Sequence, residues 1–253
     1  MKNSSFAITA AAKNAYIFVG REWRYLVKIG TLPLGLQLLA TLFIHLQRPD
    51  AMALEGFLWS FPASVAFAWF MFLEARLLLL GERIDRLPAD KEYRQERAYA
   101  LKLCIIVALL FNMAITAAFA TLEWLFMSGA SAQSLFAGAA FLFLTGGLFW
   151  GVRFSIVHIL AAVNYPIRPF LRQTHGMEIS FRLIGMGFLC VVPALFIFQM
   201  LLSLIAPDAN AELSDIQILA VLCLSAPLSL TLVAVLNAAA AFALKDLLGG
   251  RAG

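Results

Sequence analysis

From Leu135 to Val163 the chain is apolar almost throughout, LFAGAAFLFLTGGLFWGVRFSIVHILAAV, with Arg153 inside the run. A run of roughly 29 such residues crosses a bilayer with length to spare for tilt. Inside hydrocarbon every backbone N–H and C=O must be satisfied without water, so a single crossing segment is a helix. Arg153 lies about ten residues from the end of the run, too deep for a simple flank. A guanidinium at that depth costs a few kcal/mol and needs a partner, a water-filled defect or a cavity.

Five weaker versions of this run surround it, at about Leu26 to Leu46, Phe57 to Leu80, Leu103 to Phe126, Leu183 to Ala206 and Ile216 to Leu244. Six crossings make the expected fold class all-α, a polytopic membrane helix bundle. Composition agrees. The chain is 62% hydrophobic and 13% charged, whereas soluble domains hold about 45–50% apolar and 25% charged residues. The spans use up most of the 253 residues, so residues 1–253 read as one integral membrane domain with no soluble enzyme domain. No signal peptide is expected, because the first residues lack a compact apolar core ending in a cleavage-type tripeptide. Cys104, Cys190 and Cys223 all fall in apolar runs and read as small buried hydrophobes.

The spans are entered through basic segments. Around residues 6 to 28, Lys13, Arg21, Arg24 and Lys28 share one arc of a helical wheel, opposite Ala12, Ala15, Trp23 and Leu26. That pattern predicts an amphipathic helix lying on a membrane surface. It serves either to bind anionic lipid or simply to hold the first span in place. The stretch GERIDRLPADKEYRQERAYALK, residues 81 to 102, predicts a solvated hinge and a second basic pre-helix. Its mixed charges argue against a nucleic-acid surface. Residues 170 to 182 form a third amphipathic basic connector, after the helix stop at Tyr165-Pro166.

Sixteen of the 19 Lys and Arg residues lie on one side of this scheme: five before the first span, six in the second connector, three in the fourth and two in the tail. Arg48 alone lies on the other side, with Arg76 and Arg153 inside spans. By the positive-inside rule both termini are cytoplasmic, which in a bacterium places the chain in the inner membrane.

The entries also repeat. YLVKIG, YALKLC and ISFRLI put Lys28, Lys102 and Arg182 at the mouths of the odd-numbered spans. FLEARLLLL, WGVRFSIVH and VAVLNAAAA bring Arg76, Arg153 and Asn237 to within one position of a common register on the even-numbered ones. The expected organisation is three tandem hairpins, residues 6–80, 81–163 and 164–247, each with a basic amphipathic pre-helix. Any six-span chain obeying the positive-inside rule would show similar entries by chance, so this alternative stands beside the repeat.

The candidate ligand or buried-charge site is Arg76, Arg153, Glu74, His158 and Asn237. Glu74 lies two residues from Arg76, on a different face of its helix, which makes Arg153 its expected partner. Arg76 either joins the interior or snorkels to the headgroups. His158 either titrates or is a hydrogen-bonded core residue. Asn112 and Asn237 are expected to join helices. Gly138, Gly146, Gly147 and Gly151, and the pair Gly185 and Gly187, are expected at close helix contacts. The expected headgroup-facing basic residues are Arg21, Arg24, Lys28, Lys102 and Arg182. No catalytic motif, metal-ligand spacing or cofactor signature is present, and His45, His158 and His175 are far apart.

Through VRFSIVHIL and PFLRQTHGMEISFRLIGMG, and through its basic hairpin entries, the chain resembles the poorly characterised six-helix inner-membrane proteins of bacteria. These include the membrane domain fused to some glycerophosphoryl diester phosphodiesterases. The resemblance implies a membrane role without an established activity, and no attached phosphodiesterase domain is expected. Mitochondrial carriers also have three hairpins, but their PxDxxK-type signature is absent. The expected function is non-enzymatic: a multi-pass protein whose partners are the lipid bilayer with its anionic phospholipid, or another membrane protein, and not nucleic acid. The alternative is a small permease for an anionic solute. An intramembrane enzyme has least support, for want of a nucleophile and base.

Overall fold

A computed structural model describes residues 6–47, 52–127, 149, 152–173, 177–205 and 214–249. The described residues are all helical, without strands. They form α1 (Ile8–Gln47), α2 (Ala53–Leu80), a 3-10 turn (Ile84–Arg86), α3 (Lys91–Met127), α4 (Phe154–Ala162), α5 (Ile167–Gln173), α6 (Met177–Ile205) and α7 (Asp215–Gly249). Five helices are long and apolar enough to cross a membrane, within α1, α2, α3, α6 and α7. Most of the run from Leu135 to Val163, with its four glycines, lies outside the described residues.

The first two basic entries are not separate surface helices. α1 and α3 each run unbroken from charged mouth to apolar span. Nothing between the two parts breaks the backbone, and Pro33 is carried inside α1. The apolar arc of the first entry is covered by protein. Ala11, Ala12, Ala15 and Phe18 are buried, and the Phe18 ring meets that of Phe242 edge-on at 6.4 Å. Trp23, which shares the arc, is exposed, with the Arg24 guanidinium 5.7 Å from its ring centre.

α1 and α7 pack antiparallel. Phe18 meets Phe242, and twelve residues along each helix Gly30 meets Leu230. Small residues permit the approach: Ala238, Ala239, Ala240, Ala241 and Ala243 of α7 are all buried. At Gly30 a Cβ would sit 2.5 Å from Leu230 Cδ2. Gly30→Leu is therefore expected to cost about 1–3 kcal/mol by overpacking. Unfolding in detergent should show the loss, and Leu230→Ala in the same chain should return most of it. The expected pair at Gly185 and Gly187 is less tight: a Cβ at Gly185 would meet Ile8 at 3.6 Å, and one at Gly187 would meet nothing within 4 Å.

The core gathers toward the charged ends of the helices. It holds Tyr25, Leu26 and Ile29 of α1, Phe70, Phe72 and Leu73 of α2, Cys104 of α3, Ile156 and Ile159 to Ala162 of α4, Leu183 of α6 and the end of α7. α2 touches α1, α3, α4 and α7, and its residues Phe72 to Leu77 are enclosed. At the opposite ends Leu46, Leu54, Leu204 and Ile216 are exposed, as lipid-facing side chains are. Polar contacts also join the first half of α2 to α3. Glu123 Oε2 accepts from the Ala53 N–H at 2.9 Å, capping the start of α2 with a negative charge. Asn112 Nδ2 donates to Ser64 Oγ at 3.3 Å.

Candidate functional site

Glu74, His158 and Asn237 come from three parallel helices, α2, α4 and α7, and meet in the core. Their relative exposures are 0%, 7% and 3%. Asn237 is the hub. Its Nδ2 donates to Glu74 Oε2 at 2.8 Å and to the Met71 carbonyl at 3.1 Å. Turning the amide over would place its oxygen against that carbonyl, so Oδ1 is the acceptor left for the ring. His158 Nε2 lies 2.7 Å from Oδ1 and therefore carries the hydrogen. Glu74 Oε1 is buried and has no hydrogen-bond partner among the described residues.

This corrects the expected register. The residues that meet are Glu74, His158 and Asn237, not Arg76, Arg153 and Asn237. Two guanidinium groups sharing a low-dielectric interior would repel, and each instead finds its own partner. Arg153 does not pair with Glu74: its Nε donates to Ser180 Oγ of α6 at 2.8 Å. It also stands at the start of α4, in the turn before Phe154, rather than within a described helix.

Arg76 does not snorkel. It is 4% exposed and is held by groups at the mouth of the bundle. Gly81 makes this geometry. Its φ of 67° and ψ of 15° end α2 in the left-handed region, which suits glycine. The Gly81 N–H bonds back to Leu77 O and the Glu82 N–H to Arg76 O. The chain thus folds back and brings the Glu82 carboxylate onto the Arg76 side chain. Arg76 Nε donates to Glu82 Oε2 at 2.5 Å, and Nη1 donates to Ala162 O at 2.8 Å. The last bond sets a cation against the C-terminal end of α4, where helix carbonyls are otherwise unpaired.

Glu82 also accepts from the Tyr93 hydroxyl and, through Oε1, from Arg97 Nε at 2.6 Å. Both guanidinium groups lie near the Phe72 ring, Arg76 at 5.5 Å and Arg97 at 5.3 Å from its centre. Burial raises the affinity of the Glu82 carboxylate for a proton. The hydrogen bonds from Tyr93, Arg97 and Arg76 outweigh that and hold it below its ordinary value of 4.5. Beside this cluster the loop docks on α1: Arg83 pairs with Glu22 at 2.5 Å, and Lys28 with Asp85 at 3.3 Å.

The remaining basic residues divide. Arg21, Arg24, Lys28 and Lys102 are exposed on the rim. Arg182 is half-buried and tied into the fold, donating to Glu178 Oε1 and to the Phe6 carbonyl at 2.8 Å. An open groove of about 520 Å³, which shares Tyr93 and Arg97 with this cluster, runs between the 3-10 turn and the first three turns of α3. Glu82, Tyr93, Arg97 and Ser180 were not among the expected site residues. One local signal pointed to Glu82, the glycine directly after an apolar run, which marks a helix end.

Comparison with protein-family models, with curated proteins and with solved structures finds no match to this chain.

Proposed function

We propose that this chain is a non-enzymatic inner-membrane protein of six spans in three hairpins, with both termini cytoplasmic, that binds anionic phospholipid at its cytoplasmic rim. The sixth crossing in this scheme is the apolar run that begins at Leu135. One observation carries the reading: buried Arg76 is directed to Glu82 within the chain, whereas Arg21, Arg24 and Lys102 are exposed at the mouths of α1 and α3. A permease for an anionic solute would want interior cations facing a water-filled path, and the pairing of Arg76 supports the lipid reading over it.

The test is lipid retention. The full chain is extracted from bilayers of phosphatidylglycerol and phosphatidylcholine, and the retained lipid is weighed by mass spectrometry. Phosphatidylglycerol is expected to be enriched, less so at high salt. Each basic residue near an anionic surface contributes about 1 kcal/mol, roughly a fivefold effect. Reversing Arg21, Arg24 and Lys102 together is therefore expected to lower the enrichment sharply. Retained lipid that matches the bilayer composition would overturn the reading.

A further inference from the structure

We propose that the groove beside α3 is a binding site for one anionic phospholipid, its phosphate between Arg94 and Arg97 and its acyl chain along Leu101. This rests on the reading above and makes it specific to one site.

The groove of about 520 Å³ is lined by the polar Arg94, Arg97 and Tyr93 and by the apolar Ile84, Leu87 and Leu101. Arg94, Arg97 and Leu101 follow a three- and four-residue spacing and so share one face of α3. Along that face the wall changes from charged to apolar over about 10 Å, at 1.5 Å per residue. A phospholipid changes in the same sense over the same distance, from phosphate to the top of its acyl chain.

The two arginines differ in how they are held. Arg97 is fixed, with Nε on Glu82 and its guanidinium by Phe72. Its terminal nitrogens make no hydrogen bond among the described residues, which leaves donors in a set orientation. Arg94 is exposed and has no ion pair among the described residues. One helical turn apart, the two cations repel each other, and an anion between them removes that repulsion. Asp85 is the one acid in the lining, and it faces Lys28 at 3.3 Å. The apolar half of the groove favours a lipid over free phosphate, which would leave Ile84, Leu87 and Leu101 uncovered.

Native mass spectra of the full chain in detergent, titrated with phosphatidylglycerol, test this. Wild type should hold one lipid more tightly than the rest. Arg94→Glu should weaken that lipid about thirtyfold, and Leu101→Trp, which fills the groove, should displace it. Arg94 is exposed, so its variant should unfold at the wild-type midpoint, and that measurement guards against misfolding. Arg21→Glu with Arg24→Glu should lower the general enrichment and spare the tight lipid. A tight lipid that survives both Arg94→Glu and Leu101→Trp would overturn the groove while the rim reading stands. Loss of all anionic enrichment in wild type would overturn both. Inorganic phosphate that competes with the lipid in wild type and binds Leu101→Trp equally well would show a phosphate site, which also overturns the lipid assignment.

Discussion

Glu82→Leu is expected to destabilise the protein by about 3–5 kcal/mol, the usual cost of removing one partner of a buried ion pair. Arg76 is the reason. Its side chain is 5% exposed, and Glu82 is the acid that neutralises it at 2.5 Å. Without Glu82 a buried guanidinium keeps a carbonyl, a phenol and an aromatic ring, but no countercharge. Arg97 and Tyr93 lose the same acceptor. Unfolding in detergent, followed by circular dichroism, measures the loss. Arg76→Met added to Glu82→Leu should recover much of it, because the pair is then replaced by apolar surface. A single variant as stable as wild type would show that the pair is not buried in the membrane-embedded protein.

The pH dependence has a definite sign. Glu82 is held below its ordinary value of 4.5 in the folded protein. Its contribution is therefore complete at pH values above that ordinary value. It is lost as the pH falls through the lower folded value. The stability gap between wild type and Glu82→Gln should stay constant around neutral pH and close only in acid.

Asn237→Leu is expected to cost about 2–4 kcal/mol. Three hydrogen bonds end on this amide. Bonds between membrane helices average about 0.6 kcal/mol each, and each buried polar group left without a partner adds about 1–3 kcal/mol. The larger part of the loss comes from Glu74, whose Oε2 would join Oε1 in having no donor. Glu74→Leu in the Asn237→Leu background should then stabilise the chain rather than weaken it further. The same unfolding assay reads both. Additive losses would mean that the two side chains act independently, contrary to the contact at 2.8 Å.

The interior polar residues were legible by type before the structure, but not by pairing. Glu74, Arg76, Arg153, His158 and Asn237 stand out in apolar runs because each is costly there. All five are indeed buried. Linear alignment put Arg76 and Arg153 beside Asn237, whereas in space Glu74 and His158 take those places. Residues 74 and 76 differ by about 200° around a helix, so a two-residue slip exchanges an inward side chain for one on another face. Alignment of short apolar strings does not resolve that slip. Arg182 misled in a similar way. Its place at the mouth of a span suggested a headgroup contact, but the buried Phe6 segment lies there and uses its guanidinium.

The sequence by itself determined that this chain forms helices long and apolar enough to cross a membrane. Long apolar runs have no other way to satisfy their backbone in hydrocarbon, and that argument needs no knowledge of neighbours. It also determined which helix ends carry the positive charge. Tertiary structure decided what the charged and polar side chains do. The left-handed turn at Gly81 gave Arg76 its carboxylate, and the packing of α2, α4 and α7 joined Glu74, His158 and Asn237. Such pairings depend on rotation about each helix axis and on which helices are adjacent, and both are set by long-range packing rather than by local composition.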